Sequence, residues 1–575
     1  MKNFLSVWQL LSKKNKIYFF LLVILIIVQA LFEILSIAIV IPFVTLLLDP
    51  EALNNLPFFN FLKPITNFES SQKMIIIMSI IFFIAYLLKN IFVLIIHKFL
   101  FEYIYNFRRN LTTRILKKYL YQDYIFFIKN SYSLIASNLA NEVDNLTTSY
   151  FRATLIILSE LIILFSIIIL VIFSGYLKGF FIIVPFVALS ALILKLLGKK
   201  IKSWANDRVK NVRNLTRLTY EIILGIKEIF LTGKIKEILN EYNLFQKESS
   251  NIESKVQLVQ TFPKLTLELF AILIFIITLI YLSFQNISNN QIIVILSFYL
   301  ALAYRIMPSL NKIFIHYQQL KLGIPSLNII QKDINLTDKL YYFENNNSER
   351  LEFKNKIEFK NIKFKFENRK ELFSNLNFSL LKNKVVGIYG ESGSGKTTLL
   401  NILSLLIKPI DCEIYIDEKK ITTKEDSRRF QNLISFVSQD TFLLEDTIEN
   451  NIIFGSDKEV DNNKLNEALE FSRVNNFLTE LPKGLDTIIG LNSKHISSGQ
   501  KQRIALARLF YNSRDILIFD EATNALDETN ENIIINNILN LKDQKTVIIV
   551  SHDKKNLINC DKIYEVKDNS IFEEK

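Results

Sequence analysis

A glycine-rich segment in the second half of the chain has the residue types that hold phosphate groups. Residues 390–398 read Gly-Glu-Ser-Gly-Ser-Gly-Lys-Thr-Thr and fit the spacing G-x-x-x-x-G-K-[ST]. The apolar run 384–389 predicts a strand before this segment, and residues 398–403 predict a helix after it. In such a loop, backbone N–H groups face a phosphate, the lysine reaches the β- and γ-phosphates, and the threonine after it ligates Mg²⁺. The residues that we expect to contact the nucleotide here are Gly390, Ser392, Gly393, Ser394, Gly395, Lys396, Thr397 and Thr398.

Two adjacent carboxylates end another apolar run, at 516–521, which reads Ile-Leu-Ile-Phe-Asp-Glu. Carboxylates rarely end a buried strand without a partner. In phosphoryl transfer the protein mainly positions groups and neutralises developing charge. We therefore expect Asp520 to hold the Mg²⁺ shell and Glu521 to orient and polarise the attacking water. We favour this catalytic role over the alternative that the two carboxylates form an acidic pair at the surface.

The first part of the chain is strongly apolar. Of the 575 residues, 50% are hydrophobic and the mean hydropathy is +0.25, which is high for a soluble protein. A membrane-crossing helix needs ~20 apolar residues to span a hydrocarbon core of ~30 Å. The stretches of sufficient length are 17–48, 74–99, 153–173, 180–197, 262–284 and 291–316. We predict a membrane domain with six helices at 1–325, a linker at 326–352 and a nucleotide-binding domain at 353–575.

Charge and cysteine usage predict the orientation of the chain. Basic residues cluster before the first apolar stretch and after the second, which predicts that those ends lie on the cytoplasmic side of the membrane. We expect this membrane to be a bacterial inner membrane. The two cysteines, Cys412 and Cys560, lie in the second half and suit a reducing cytosol. The net charge of +12 suits contact with anionic membrane lipid, and no motif supports nucleic-acid binding.

The gaps between the second and third stretches, and between the fourth and fifth, are too long for turns. Helical patterns fill both gaps and predict hairpins with tips near 121–129 and 225–233. Such tips could contact a cytosolic partner domain, or the hairpins could be ordinary amphipathic helix pairs.

The segment 496–503 reads Ile-Ser-Ser-Gly-Gln-Lys-Gln-Arg and resembles the signature of ATP-binding cassette (ABC) proteins. Gln439, the run 524–527 and His552 stand where that family has its other motifs. The resemblance covers nearly the whole chain. It implies a membrane α-helical six-span exporter domain fused to a cytosolic α/β P-loop nucleotide-binding domain, with ATP and Mg²⁺ as cofactors.

In that family, two nucleotide-binding domains face head to tail, so the resemblance implies a composite ATP site shared by two copies of this chain. Gln439 would sense Mg²⁺ and the membrane domain, His552 would contact the γ-phosphate, and both would act with Glu521 in catalysis. The other implied nucleotide contacts are Ser497, Ser498, Gly499, Gln500, Asp520, Asp527 and, as an aromatic platform for adenine, Phe366. A heterodimer with a sister chain is the alternative to a homodimer.

Two departures from the family pattern concern coupling. The signature usually reads Leu-Ser-Gly-Gly-Gln, whereas Ile496 and Ser498 occupy its first and third positions here. Leu491 stands where the family has a coupling glutamate. Ser498 adds a side chain beside the phosphate, which would tighten or slow closure without abolishing it. Leu491 puts the signature-side coupling contact in doubt but leaves hydrolysis in place.

Ionisable residues inside the apolar stretches suggest the cargo, because charges there are costly and usually face a cavity. They are Glu33, Lys89, Glu160, Lys264 and Arg305. The three cations predict a basic ring that holds a phosphate or pyrophosphate. The alternative is that they snorkel to the membrane surface or pair with carboxylates, including Glu268.

Residues 41–46, Ile-Pro-Phe-Val-Thr-Leu, and 304–312, Tyr-Arg-Ile-Met-Pro-Ser-Leu-Asn-Lys, resemble the bacterial flippases of lipid-linked oligosaccharides for protein glycosylation. The resemblance implies that the cations hold the pyrophosphate of a polyprenyl-pyrophosphate-linked glycan while its tail stays near lipid. It also implies a short external helix at 56–62. Export of another lipid, a peptide or a drug is the first alternative, and a membrane-anchored regulatory ATPase without cargo is the second.

Overall fold

The computed structural model describes residues 2–48, 71–173, 180–285, 289–338, 351–367, 370–456, 459–490 and 496–574. The chain forms two compact units. The first contains Met1–Gln122 and Phe127–Asp338, and the second contains Asp123–Phe126 and Lys339–Lys575. The predicted external helix at 56–62 lies outside the described residues.

The chain before residue 339 is helical throughout its described part. The helices are α1 (Lys2–Leu10), α2 (Lys13–Ala38), α3 (Val40–Leu48), α4 (Ser71–Leu120), α5 (Tyr124–Lys129), α6 (Tyr132–Ser137), α7 (Val143–Asn145), α8 (Arg152–Phe173), α9 (Phe180–Leu224), α10 (Ile226–Thr232), α11 (Ile235–Ser283) and α12 (Asn289–Ile334). Two π-helical stretches, Asn138–Glu142 and Leu146–Phe151, join α6, α7 and α8 into one long helix. The first nine residues of the predicted linker, 326–334, are the last turns of α12.

Five helical stretches in the described part are long and apolar enough to cross a membrane. They are Lys13–Thr45, Ile75–Leu120, Tyr132–Ile172, Ile235–Ser283 and Gln291–Ile334. The fourth predicted stretch, 180–197, lies in α9, which is not among these five. Large apolar side chains are exposed along the helices, including Phe83, Phe165 and Leu269. Such a surface suits contact with lipid chains.

Both predicted hairpin tips form short helices. The first, α5, follows a turn after α4. The second, α10, lies between Gly225 and Gly233, and Gly233 ends it in a left-handed conformation with φ +67°.

The described strands of the second unit form three sheets. Its strands are β1 (Lys356–Lys365), β2 (Glu371–Leu381), β3 (Val385–Tyr389), β4 (Asp411–Ile416), β5 (Lys419–Lys420), β6 (Ile434–Val437), β7 (Asp446–Thr447), β8 (Ile488–Ile489), β9 (Ile516–Asp520), β10 (Thr546–Val550), β11 (Lys562–Lys567) and β12 (Ser570–Glu573). An antiparallel sheet has the order β2-β1-β4-β5, and β7 pairs with β8. The central sheet has the order β12-β11-β3-β10-β9-β6 and is parallel except for β12.

Helices cover both faces of the central sheet. The helices of the described second unit are α13 (Lys396–Leu403), α14 (Lys424–Gln431), α15 (Ile448–Ile453), α16 (Asn462–Phe471), α17 (Asn475–Leu478), α18 (Ser498–Tyr511) and α19 (Glu528–Leu539). Of these, α15, α16 and α17 pack together against α18 in a hydrophobic cluster whose described residues lie outside the central sheet. Alternate residues of β9 point to opposite faces, so Ile518 packs with the α13 cluster and Phe519 packs with α18 and α19. Strands buried on both faces read as continuous apolar runs, as β9 and β10 do.

Close packing in the first unit predicts the effect of a small substitution. A Cβ on Gly323 of α12 would lie 2.8 Å from the Cβ of Tyr150 and 2.9 Å from its backbone nitrogen. We expect Gly323→Ala to destabilise the protein by about 1–3 kcal/mol through overpacking. The measurement is the temperature at which the detergent-solubilised protein loses its monodisperse peak.

Gly198→Ala is the matched control, because a Cβ there would meet its nearest atom, the hydroxyl of Tyr317, at 3.5 Å. Equal thermal stability of both variants would show that the contact at Tyr150 does not limit stability.

Candidate functional site

The central sheet brings the predicted chemical groups to one edge. Strands β3, β10 and β9 are adjacent and parallel, and Val550 pairs with both Ile388 and Asp520. The glycine-rich loop follows β3, the carboxylates end β9, and His552 follows β10. Because the carboxyl ends of parallel strands meet at the same edge, these three segments converge.

Backbone geometry shapes the glycine-rich loop. Gly395 is the residue before α13 and has φ +102°, a left-handed conformation that side chains disfavour. A Cβ on Gly390 would lie 2.5 Å from the carbonyl oxygen of Val566. Nζ of Lys396 donates to the carbonyl oxygens of Gly390 and Glu391, at 2.9 and 3.0 Å. The lysine therefore lies across the concave side of the loop, where a phosphate chain would bind.

Three side chains hold the carboxylate of Glu521, which is 6% exposed. Nε2 of Gln439 donates to Oε2 at 2.7 Å, Nδ2 of Asn524 donates to the same oxygen at 3.0 Å, and Nε2 of His552 lies 2.5 Å from Oε1. The backbone of Glu521 has φ +50°. A strained backbone and three polar partners fix this carboxylate in one orientation.

Asp520 lies beside the loop and is buried. Burial raises the pKa of its carboxyl to about 6, and the neighbouring charge of Glu521 raises it as well, while a hydrogen bond with Thr397 and the charge of Lys396 oppose the shift. The hydroxyl of Thr397 therefore lies next to the carboxylate of Asp520, as expected for two oxygen ligands of one metal ion.

These groups line a cleft of about 370 Å³. Its lining residues are Phe366, Lys370, Leu372, Ser392, Gly393, Gly395, Lys396, Thr397, Thr398, Gln439, Glu521 and His552. The ring of Phe366 lies edge-on to that of Phe364, with 4.9 Å between centroids, and is half-buried at the side of the cleft. The predicted adenine platform is therefore at the site.

The signature residues do not line this cleft. Ser497 begins α18 and forms a reciprocal cap with Gln500: the Ser497 hydroxyl accepts from the Gln500 N–H at 3.2 Å, and the Gln500 side chain accepts from the Ser497 N–H at 2.8 Å. Ser498 is exposed beside them. A Cβ on Gly499 would lie 2.8 Å from the carbonyl oxygen of Ala525.

One further predicted position also lies away from the cleft. Asp527 caps α19, and its bonds with Asn530 and Thr529 hold the pKa of its carboxyl well below the usual range. Leu491 lies outside the described residues.

Two residues of the site carried no role in the sequence analysis. Asn524 is the first residue of the run 524–527, and Gln502 lies in the signature segment 496–503. Buried Gln502 donates to the carbonyl oxygen of Glu521 at 3.2 Å and accepts from the N–H of Ala525 at 3.0 Å. The sequence signal that could have indicated this role is the position of Gln502 within the signature segment, two residues after Gln500.

A second site lies among the apolar helices. A cavity of about 350 Å³ is lined by Glu33, Ser36, Ile37, Tyr86, Lys89, Leu300, Ala301, Tyr304 and Arg305. Nε of Arg305 lies 3.0 Å from Oε2 of Glu33, and Nζ of Lys89 lies 3.5 Å from the same oxygen. Two of the three predicted cations are therefore together, but each faces a carboxylate.

The structure does not place Lys264 with them. Its Nζ lies 3.9 Å from Oε1 of Glu268, one turn along α11, and its side chain is 61% exposed. The predicted basic ring of three is thus reduced to a pair. The alternative of pairing with carboxylates holds for all three cations.

Comparisons with known proteins place both units in one family. Residues 16–307 match the family described as "ABC transporter transmembrane region", and residues 373–524 match the family described as "ABC transporter". The chain belongs to the ABC transporters. It is a multi-pass membrane half-transporter that binds ATP and couples its hydrolysis to transport.

Relatives and a solved structure extend along most of the chain. The ATP-dependent lipid A-core flippase of Francisella tularensis subsp. holarctica is 27% identical over 486 residues, which cover 82% of this chain and 76% of that protein. The flippase of the same description from Haemophilus influenzae is 27% identical and covers 80% and 78%. A bacterial Atm1-family ABC exporter with ATP bound has a TM-score of 0.78 at 18% identity, and the match covers 96% of this chain and 95% of that one. The last match shows a shared exporter fold.

The position of Gln502 predicts a loss of ATP hydrolysis on its removal. We expect Gln502→Ala to leave the backbone groups of Glu521 and Ala525 without their buried partner. The resulting misplacement of Glu521 should lower kcat for ATP hydrolysis by about tenfold or more. Steady-state phosphate release from the purified protein measures this. The control is Gln544→Ala at an exposed position, and a kcat equal to the parent's in both variants would contradict the positioning role.

Proposed function

We propose that this chain is an ATP-driven flippase of a phosphorylated amphipathic lipid in the bacterial inner membrane and that it works as a homodimer. The observation that carries the cargo assignment is the cavity between apolar helices that contains Lys89 and Arg305. Buried cations favour a ligand with a concentrated negative charge. The names of the lipid A-core flippases, which match over four-fifths of the chain, support a lipid as cargo.

Within that class we propose a polyprenyl-pyrophosphate-linked oligosaccharide. The pyrophosphate would contact Arg305 and Lys89, and the polyprenyl tail would lie against the exposed apolar side chains of the helices. The guanidinium can bind two phosphate oxygens at once, whereas the ammonium acts as a point charge. The site thus recognises the charge of the linkage and leaves the glycan unspecified.

Hydrolysis would take place in the cleft at the edge of the central sheet. Lys396 and the loop amides would hold the phosphates, and Phe366 would stack on the adenine. Glu521 would accept a proton from the attacking water, and His552, which contacts Glu521, would also reach the γ-phosphate. Gln439 and Asn524 keep the carboxylate of Glu521 oriented toward the cleft.

The residues present fit a bound Mg²⁺. Thr397 and Asp520 offer a hydroxyl and a carboxylate oxygen next to each other at the phosphate loop, and Gln439 would bind partly through water. These are the oxygen ligands that Mg²⁺ takes in phosphoryl-transfer sites. When bound, the ion would neutralise charge on the phosphate oxygens.

A second copy would complete the nucleotide site. Ser497, Ser498, Gly499 and Gln500 lie away from the cleft of their own chain, so the facing copy would bring its signature to the γ-phosphate. Both catalytic groups, Glu521 and His552, are present in this chain. Two identical copies therefore form two complete sites. Closure on ATP and reopening after hydrolysis would alternate the membrane cavity between the two sides.

The catalytic assignment predicts that Glu521→Gln binds ATP but hydrolyses it at least about 100-fold more slowly, because the general base is lost. ATP turnover in proteoliposomes measures this, with Glu528→Gln at an exposed position of α19 as the control. Turnover at the parent rate would reject Glu521 as the base.

The composite site is tested in the Glu521→Gln variant, to which Ser392→Cys and Ser498→Cys are added. With ATP bound, a cysteine at Ser392 of one copy and a cysteine at Ser498 of the other should form a disulfide. The product should run at twice the 67.1 kDa of one chain. Each single-cysteine variant is the control for Cys412 and Cys560. A cross-link that forms equally without ATP would contradict closure of the signature on the nucleotide.

The test of the proposed function is flipping of a labelled polyprenyl-pyrophosphate-linked oligosaccharide in proteoliposomes. We expect ATP-dependent flipping that Arg305→Leu reduces by about tenfold, since a bidentate phosphate contact is lost. Lys264→Leu is the matched control, because Lys264 lies away from the cavity.

Parallel assays with lipid A, an uncharged polyprenol and a cationic dye separate the alternatives. Transport of lipid A alone would assign the cargo of the named relatives. Transport of the polyprenol or dye would indicate a less specific exporter. ATP hydrolysis that no compound stimulates would indicate a regulatory ATPase.

A further inference from the structure

Glu33 and Glu160, two of the buried carboxylates in the described part of the first unit, have different surroundings. Glu160 accepts a hydrogen bond from the hydroxyl of Ser309 at 2.7 Å and another from Nζ of Lys312 at 2.8 Å. One guanidinium nitrogen of Arg305 also lies 3.8 Å from Glu160. Glu160 is therefore fully engaged by residues of α12 and serves as a structural counter-ion.

Glu33 is buried to a similar degree, with a side chain that is 6% exposed, but its Oε2 has no hydrogen bond to a described residue. Its Oε2 lies 3.0 Å from Nε of Arg305 and 3.5 Å from Nζ of Lys89. Neither Oε2 of Glu33 nor Nε of Arg305 has a hydrogen bond of good geometry to any residue in the described ranges. The contact is an ion pair without aligned hydrogen bonds.

The position of Glu33 matters because the cations it faces line the cavity. Lys89 and Arg305 are each 14% exposed, and both border the 350 Å³ space along with Glu33. The cluster contains three cations, Lys89, Arg305 and Lys312, and two carboxylates. A bare pair of cations between apolar helices would be strongly disfavoured, so an internal anion is needed when the cavity holds no ligand.

We propose that Glu33 is a resident counter-ion that an anionic ligand of the cavity displaces from Arg305 and Lys89. The carboxylate occupies the position that a phosphate group takes when the cargo binds. The phosphate then gains both cations, including the Nε donor of Arg305, which has no hydrogen bond in the described ranges, while Glu160 keeps the remaining charge of Arg305 balanced. Glu33 thereby sets the affinity and the selectivity of the site, because only a ligand with more negative charge than one carboxylate competes well. The inference rests on the proposed phosphorylated cargo.

Binding of short polyprenyl probes tests this without transport. The full-length protein in nanodiscs is saturated with ADP, so that the phosphate loop is occupied. It is then titrated with farnesyl pyrophosphate, farnesyl monophosphate and farnesol. We expect Glu33→Gln to bind farnesyl pyrophosphate at least about tenfold more tightly than the parent, because the competing charge is gone. Farnesol should bind both proteins equally.

Three variants make the result specific. Glu33→Met, a second neutral side chain of similar length, should reproduce the gain even if Glu33→Gln does not fold. Glu33→Asp keeps the charge and should bind the pyrophosphate like the parent. Glu268→Gln, which removes a carboxylate paired with a cation away from the cavity, should change nothing.

Unchanged or weaker pyrophosphate binding by the neutral Glu33 variants would overturn the inference. An equal gain for farnesol would do so as well, because it would indicate a change of cavity shape rather than of charge. The proposed function fails separately, by absence of flipping in proteoliposomes. Tighter pyrophosphate binding in the neutral variants together with no flipping would support the anion site and reject the flippase.

Discussion

The pairing of three parallel strands, β3, β10 and β9, is the constraint on which the nucleotide chemistry of this protein depends. Residues that are more than a hundred positions apart in the chain meet because their strands are hydrogen-bonded in register at one sheet edge. The strands are buried on both faces by the helices that the loop and the signature begin. The same apolar packing that stabilises the sheet therefore fixes the distances among Lys396, Glu521 and His552.

Hydrogen bonds then fix the orientation of side chains that the sheet brings close together. The carboxylate of Glu521 would have several rotamers at a strand end, but Gln439, Asn524 and His552 restrict it. Gln502 holds the adjoining backbone from the helix of the signature. Within one chain, Gln502 thus links the signature helix to Glu521, the residue that we propose as the general base. A displacement of α18 would be felt at Glu521 through a single buried amide.

The membrane unit meets a different requirement, which is to keep charges stable between apolar helices. The predicted ring cations Lys89, Lys264 and Arg305 do not form a free basic ring, because each has a carboxylate within 4 Å. The carboxylates Glu33 and Glu160 differ in their contacts. Glu160 accepts hydrogen bonds from Ser309 and Lys312 of α12, whereas Oε2 of Glu33 lies close to its cations without a hydrogen bond in the described ranges. This difference distinguishes a structural pair from one that a ligand can replace.

The sequence by itself determined the class of this protein and most of its nucleotide site. Motif spacing located the phosphate loop, the carboxylates Asp520 and Glu521, and the signature, because backbone geometry and metal chemistry demand fixed residue types at fixed intervals. Hydropathy located the long apolar helices, because a membrane fixes the length of its spans. The sequence could not show that Lys264 lies apart from Lys89 and Arg305, or that Gln502 and Asn524 hold Glu521. Those facts depend on which faces of separate helices meet, and one sequence contains no direct record of such contacts. Only the tertiary structure decided the partners of each buried charge, since pairing depends on distances of a few ångströms that helix packing sets.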